Sequence, residues 1–234
     1  MKLIYKNKIF LKLLVLLCWL NSIDFSAQSD PVDSLKGVLK NAKHDTVRCK
    51  ALEILIETAP DGEWENFNSQ LQKLVTENLR NKNIREPLIL FYKKRLAFTL
   101  INEGIIVKRH GETNKALGLF ERSLAIQQEI NNKEGIAYAL GAVGVIYQEL
   151  GNNQKALAYH LKSADLQMRL NDEKGLAYTL IYIGDIYSNA GNVSKAIDYY
   201  TQSLKLNEKI DNKQGIAYAV NNLGVVYTGQ GEYD

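Results

Sequence analysis

The side chains most able to support catalysis or metal binding are few and scattered in this sequence. Its three histidines, His44, His110 and His160, share no spacing that would bring two of them together on one helix. No glycine-rich phosphate loop and no catalytic serine motif occurs either. We therefore predict no catalytic residues, no metal site and no cofactor, and we expect residues 28–234 to be non-enzymatic.

Cysteine chemistry is limited in the same way. The chain has two cysteines, Cys18 and Cys49, and Cys18 lies in a segment that we expect to be removed. With a single cysteine left, no intramolecular disulfide can form. The apolar helical pattern around Cys49 predicts a buried structural thiol rather than a reactive one.

The first 27 residues have the pattern of a secretory signal peptide. Lysines at positions 2, 6, 8 and 12 precede or border an uninterrupted apolar run, residues 13–20. This run is shorter than the roughly 20 residues that a membrane-spanning helix needs. We expect cleavage after Ala27 and export to a bacterial envelope, either periplasmic or membrane-associated. The bulky Phe25 leaves an uncleaved membrane anchor as the alternative.

The composition predicts a folded, all-α protein. Hydrophobic residues make up 46% of the chain and charged residues 24%, and there are only three prolines. Long helices can therefore form after Glu86, where good helix formers are abundant. The formal net charge of +3 is spread along the chain without a dense basic cluster, so we expect no nucleic acid partner.

From residue 135 onward the sequence repeats with a strict period of 40. Glycines at 135, 175 and 215 mark the register, as do those at 144, 184 and 224, and a fainter copy lies one period earlier. We divide the chain accordingly into a signal peptide at 1–27, an N-terminal helical cap with a degenerate hairpin at 28–93, and a repeat array at 94–234 with units at 95–134, 135–174, 175–214 and an incomplete 215–234.

Each unit has the apolar spacing of a helical hairpin. In the second unit the first helix ends at Gly151, where we expect a left-handed cap, and a second helix begins near Gln154. The mid-helix Gly144 costs about 1 kcal/mol relative to alanine, and we interpret it as allowing close approach of the second helix at Ala156. His160 falls on the buried stripe and is expected to be a core ring. Because one hairpin cannot bury both faces, the units should stack into a right-handed α-solenoid with a concave inner surface.

These motifs resemble the tetratricopeptide repeat (TPR) family, in the variety with a 40-residue unit. The Leu-Gly-x-x-Tyr signature is matched by Leu223–Tyr227 and, with a conservative first residue, by Val143–Tyr147 and Ile183–Tyr187. The family's closing proline is absent, and the first unit departs from the pattern at Glu103 and Val107. The resemblance implies first helices that line a groove and bind a segment of a partner protein.

We predict a peptide-binding groove from this resemblance and from helical geometry. It lacks the concentration of Lys and Arg that a clamp for a C-terminal carboxylate requires, so we expect a mixed apolar and amide surface. Its aromatic residues recur one period apart, and they either form a ladder along the groove or pack between neighbouring hairpins as ordinary repeat structure. The predicted groove residues are Phe98, Asn102, Tyr138, Gln148, Tyr178, Tyr182, Asp185, Asn189, Tyr218, Asn221 and Asn222.

The leading functional hypothesis is a non-enzymatic protein–protein interaction module that binds a protein or peptide segment, as a scaffold or sensor in the bacterial envelope. The alternative rests on resemblance to the exported sensory regions of bacterial envelope signalling proteins. In that case this is the N-terminal part of a histidine kinase, nucleotide cyclase or helix-turn-helix regulator. Self-assembly through exposed solenoid ends is a third hypothesis.

In the repeat register the sequence stops inside a hairpin, so we expect more chain beyond Asp234. A membrane tether through an uncleaved signal peptide, or through a segment beyond residue 234, stays open.

Overall fold

The computed structural model describes residues 31–60 and 62–229, and the secondary structure of these ranges is helical throughout. The predicted signal peptide and the last residues of the chain lie outside them. No helix in the described ranges is long and apolar enough to cross a membrane. The all-α prediction is confirmed. The helices are α1 (Pro31–Asn41), α2 (Asp45–Thr58), α3 (Trp64–Leu79), α4 (Glu86–Arg109), α5 (Thr113–Glu129), α6 (Lys133–Glu149), α7 (Asn153–Leu170), α8 (Glu173–Asn189), α9 (Val193–Lys209) and α10 (Lys213–Gly229).

The described residues divide into two compact units, with the boundary inside α4 between Glu103 and Gly104. The first unit has its own hydrophobic core, in which Leu55, Leu71 and Val75 are buried. Cys49 lies in this core without exposed surface, and burial raises the pKa of its thiol to about 12. The thiol therefore stays protonated near neutral pH, which confirms its prediction as a buried structural cysteine.

The second unit consists of helical hairpins that pack on one another in chain order. Helix α6 packs on α7, α8 on α9, and each hairpin also contacts the next helix along the chain. Gly151 and Gly191 adopt left-handed conformations, with φ of 74° and 73°, at the turn inside each hairpin. The side chains of Asn152 and Asn192 then accept hydrogen bonds from the backbone N–H of Lys155 and Lys195. The predicted hairpin turns are confirmed, together with an α-solenoid arrangement of this unit.

The mid-helix glycines make room for a buried ring of the second helix. A Cβ atom placed on Gly144 would lie 2.7 Å from the ring of His160, and one placed on Gly184 would lie 2.5 Å from the ring of Tyr200. The Phe120 ring occupies the corresponding place against Gly104. We call these three glycine and ring pairs the ring notches.

The ring notches correct the predicted reason for the mid-helix glycines. We expected Gly144 to face the small residue Ala156, but the contact is with His160, one helical turn further along α7. A planar ring fits flat against a bare backbone, so the missing side chain serves ring packing rather than backbone contact. His160 has no exposed surface, which confirms its prediction as a core ring.

A buried serine links the two helices of the α6–α7 hairpin, and another links those of the α8–α9 hairpin. Ser163 Oγ donates a hydrogen bond of 2.7 Å to the carbonyl of Ala137, and Ser203 Oγ donates one of 2.8 Å to the carbonyl of Ala177. Both serines are fully buried. The small residue that the repeat pattern places here is therefore also a polar cross-link between first and second helix.

We expect Gly184→Ala to destabilise the protein, because its new methyl group would overlap the buried ring of Tyr200. Overpacking of this kind costs about 1–3 kcal/mol, which exceeds the helical preference of alanine over glycine, about 1 kcal/mol. Urea unfolding followed by circular dichroism measures the difference.

Gly118→Ala is the matched control, since Gly118 is exposed within α5 and a Cβ placed on it would meet nothing within 4 Å. This variant should be as stable as the parent or more stable by up to about 1 kcal/mol. Equal stabilisation by both substitutions would refute the ring notch as the reason for Gly184.

His160 should make the stability of the fold depend on pH. Its ring nitrogens have no hydrogen-bond partner among the described residues, and burial lowers the pKa of the imidazole from 6.5 to about 4. The unfolded chain therefore binds the proton first, so this contribution is fully present above pH 6.5 and is lost as the pH falls towards 4. The loss should approach roughly 3 kcal/mol, at 1.36 kcal/mol per pKa unit.

The variant His160→Phe, which copies the ring found at Phe120, should remove this contribution. Its free energy of unfolding should fall less than that of the parent between pH 6.5 and 4, as measured by urea unfolding at each pH. His110→Gln, at an exposed turn, should keep the parent's profile. Identical profiles for His160→Phe and the parent would contradict the assignment.

Candidate functional site

The first helices of the second unit expose tyrosines on one face. Tyr138 on α6 is 60% exposed, Tyr182 on α8 is 38% exposed and Tyr218 on α10 is 52% exposed. Tyr178, also on α8, is half-buried. We call these four residues the tyrosine face. Large rings exposed on successive elements are characteristic of an interaction surface rather than of scattered surface residues.

Electrostatic interactions place several residues of the tyrosine face in one region. The pKa of Tyr182 is raised first by partial burial, then by the negative charge of Asp185, with further contributions from Tyr138, Tyr218 and Glu149. These interactions decay with distance, so Tyr138 on α6 and Tyr218 on α10 lie near the Tyr182 hydroxyl on α8. Four of the predicted groove residues, Tyr138, Tyr182, Asp185 and Tyr218, are thus brought near one another.

Asp185 is the charged centre of this region. The carboxylate is half-buried, and its Oδ1 atom accepts hydrogen bonds from the Tyr200 hydroxyl at 2.7 Å and from Asn222 Nδ2 at 3.2 Å. Burial raises the pKa of Asp185, and the hydrogen bond from Tyr200 offsets part of that increase. Two predicted groove residues, Asp185 and Asn222, are therefore in direct contact, across α8 and α10.

The ring of His160 supports the ring of Tyr182. The two rings are stacked, with centroids 5.2 Å apart and an interplanar angle of 5°. Because His160 is itself clamped against Gly144, the tyrosine ring lies on a rigid support. A preordered ring loses little conformational freedom when it binds a partner.

Three further predicted residues of the second unit are at least partly accessible to solvent. Gln148 is half-buried near the end of α6, Asn189 is exposed as the last residue of α8, and Asn221 is exposed on α10. Beside Gln148, Glu149 forms an ion pair with Lys108 at 2.6 Å. The amide groups of Asn189 and Asn221 are thus available to solvent and can hydrogen-bond a peptide backbone.

Phe98 and Asn102 belong to the first unit and have contacts within it. Phe98 is partly buried and packs against the first unit's hydrophobic core. Asn102 Nδ2 donates a hydrogen bond of 2.9 Å to Asn68 Oδ1, and Asn68 is buried. Their internal contacts give both residues a structural role.

Two supporting residues of the tyrosine face were not predicted from sequence as part of the site. Tyr200, which donates a hydrogen bond to Asp185, and His160, which stacks on Tyr182, are both on second helices. Of the two, only His160 was singled out from sequence, as a core ring. The sequence signal for these two residues was the aromatic series at positions 120, 160 and 200, one period apart. A ring buried where two helices cross can also contact side chains on the exposed face of a first helix.

The described part of the chain contains no candidate metal site. In residues 31–60 and 62–229, no group of three or more His, Cys, Asp or Glu side chains is arranged to hold a metal ion. The functional groups that do converge are phenols, amides and one half-buried carboxylate. This combination suits recognition of another molecule by ring contacts and hydrogen bonds.

Comparison with known proteins identifies the repeats. The model of the tetratricopeptide repeat family matches residues 135–209. No curated protein sequence matches the chain.

Several solved structures share the fold. BtubC (BKLC) from P. vanneervenii is 18% identical with a TM-score of 0.63, and the match covers 86% of this chain and 80% of that one. A signal transduction ATPase with numerous domains (STAND) and a tetratricopeptide repeat sensor, from Pyrococcus horikoshii, is 14% identical with a TM-score of 0.65, over 95% of this chain and 33% of that one. A Rap protein complexed with Competence and Sporulation Factor is 16% identical with a TM-score of 0.62, over 96% and 60%.

At these identities the structural likeness shows the fold alone, while the family match assigns the repeat type. Stacked hairpins with a 40-residue period, a left-handed glycine at the turn inside each hairpin and a matching family model agree with one another. We conclude that residues 135–209 are tetratricopeptide repeats, a repeat type that forms protein-interaction modules.

Proposed function

We propose that the tyrosine face binds an extended peptide or a segment of a partner protein, and that the module acts as a scaffold or sensor in a bacterial envelope. The observation that carries the proposal is the exposure of Tyr138, Tyr182 and Tyr218 on three successive first helices. Rings of this size provide large contact areas at low conformational cost, and they are enriched among residues that dominate binding energy.

The polar groups beside the rings favour a peptide over a purely apolar ligand. Asn189 and Asn221 expose amide groups, each of which can donate to a carbonyl and accept from an N–H. An extended peptide is recognised by ring contacts that alternate with backbone hydrogen bonds. The proposal requires no catalytic group.

Envelope location is the second part of the proposal, and its support is the basic and apolar pattern of residues 1–27. A sensory role within a larger signalling protein is the alternative. The STAND protein from Pyrococcus horikoshii carries its tetratricopeptide repeats as a sensor, and this chain aligns with 33% of that protein. A larger parent protein with a signalling output domain would be built in the same manner.

We expect Tyr138→Ala and Tyr182→Ala to weaken peptide binding by tenfold or more, since each removes an exposed ring of the tyrosine face. The probe is a phage-displayed library of random 12-residue peptides selected on residues 28–234. Dissociation constants of the selected peptides are then measured by fluorescence anisotropy. Alanine occurs naturally at position 142, one period before Tyr182, so the fold should tolerate Tyr182→Ala.

Met168→Ala is the matched control, because Met168 is 56% exposed but lies on a second helix, α7. It should leave peptide affinity unchanged. Circular dichroism of every variant must match the parent. Failure to select any peptide, or equal losses in Met168→Ala and the tyrosine variants, would refute binding on the tyrosine face.

Fusing residues 1–30 to alkaline phosphatase, which is active only after export, tests the location. We expect the fusion to be active in a bacterial host, because the apolar run of residues 13–20 engages the export machinery. Placing a charge in the run by Leu16→Arg should abolish activity. Equal activity of the two fusions would contradict export by this segment, and mass spectrometry of the product distinguishes cleavage from anchoring.

A further inference from the structure

Asp185 departs from the repeat pattern at a position where the other units are apolar. The residues one period before and after it are Val145 and Val225. The TPR fold therefore does not need a carboxylate here. Tyr182 also differs from the residues at the corresponding positions of the neighbouring units, which are Ala142 and Asn222. Two neighbouring residues of α8 thus depart from the pattern that the other units share at these positions.

Within the described residues, the carboxylate of Asp185 accepts hydrogen bonds from two neutral donors. Its hydrogen bonds come from the Tyr200 hydroxyl and the Asn222 amide, and both reach the same oxygen, Oδ1. Among the ion pairs of the described residues, none includes Asp185. Burial raises the pKa of this carboxyl, so the ionised form costs stability at neutral pH. A cationic group of a bound partner would offset the free-energy cost of ionising Asp185.

One tyrosine lies about one helical turn before this carboxylate on α8, and another lies one turn before its amide donor on α10. Tyr182 precedes Asp185 by three residues on α8, which places the two side chains on neighbouring positions of one helix face. Tyr218 precedes Asn222 by four residues on α10, and Asn222 touches Asp185. The charge of Asp185 and the phenol of Tyr218 both act on the pKa of Tyr182. Electron-rich ring faces beside a carboxylate attract a cation and stabilise it when water is displaced.

We propose that Asp185, flanked by Tyr182 and Tyr218, binds a cationic side chain, lysine or arginine, of the peptide segment that occupies the tyrosine face. This inference rests on the proposed function and names the chemistry of its partner. The Oδ2 oxygen, which no hydrogen bond from the described residues uses, accepts from the ammonium or guanidinium group, while the rings cover its apolar stem. An acidic segment would be repelled by the same carboxylate.

The test compares peptides selected from the random 12-residue library by the parent and by Asp185→Asn. The asparagine keeps an oxygen to accept from Tyr200 but removes the charge, so helicity and thermal stability should not fall. Parent selections should be enriched in lysine or arginine at one fixed position, and Asp185→Asn selections should not. Replacing that residue by glutamine should weaken binding to the parent at least tenfold and binding to Asp185→Asn less than twofold.

Asp198→Asn is the matched control, because Asp198 is an exposed aspartate on the second helix α9 and the same charge is removed. It should retain the parent's preference for the cationic residue. The residue enriched at the fixed position decides between lysine and arginine.

The outcomes separate this inference from the proposed function. If no peptide is selected by the parent, the proposed function fails. If peptides bind through the tyrosines but show no cationic preference, or if Asp185→Asn keeps that preference, the role of Asp185 is refuted while peptide binding stands. If Asp198→Asn also loses the preference, the effect is one of net charge and the specific role of Asp185 is refuted.

Discussion

Packing of a buried ring against a bare stretch of helix is the interaction on which the second unit depends. Phe120, His160 and Tyr200 each occupy the space left by a mid-helix glycine of the preceding helix. The glycine costs about 1 kcal/mol of helical preference, and ring burial outweighs that cost because a large side chain loses its contact with water. The geometry of each hairpin follows from this contact and from the serine hydrogen bond beside it.

The same rings connect the core to the surface where we propose binding. His160 stacks under Tyr182, and the hydroxyl of Tyr200 reaches Asp185. A phenylalanine, as at position 120, would fill the notch equally well but could not hold a carboxylate. Chemical variation at one packing position therefore changes the polarity of the exposed face without changing the fold, which is how a repeat scaffold acquires an individual binding surface.

Much of the fold could be predicted from sequence because helical periodicity and glycine turns are local properties. The turn at Gly151, the burial of Cys49 and the core position of His160 all follow from neighbouring residues. The partner of Gly144 could not be predicted in the same way. Register alone made Ala156 the natural choice, whereas the direction of the His160 side chain along α7 decided the contact. The candidate site was predicted as a set of first-helix positions, whereas the residues on second helices that contact it were not predicted.

The 40-residue repeat by itself determined the all-α class, the helical hairpins and their stacking, since these depend on the order of apolar, small and turn-forming residues. Only the tertiary structure decided which tyrosine rings are exposed to solvent and which are stacked on another ring. Tyr138, Tyr178 and Tyr218 are equivalent in sequence, yet Tyr178 is half-buried and the other two are exposed. The tertiary structure also brought Asp185 and Asn222, 37 residues apart, into hydrogen-bond contact. Exposure and such contacts depend on the neighbouring hairpins, and a local pattern contains no information about the side chains that a neighbour presents.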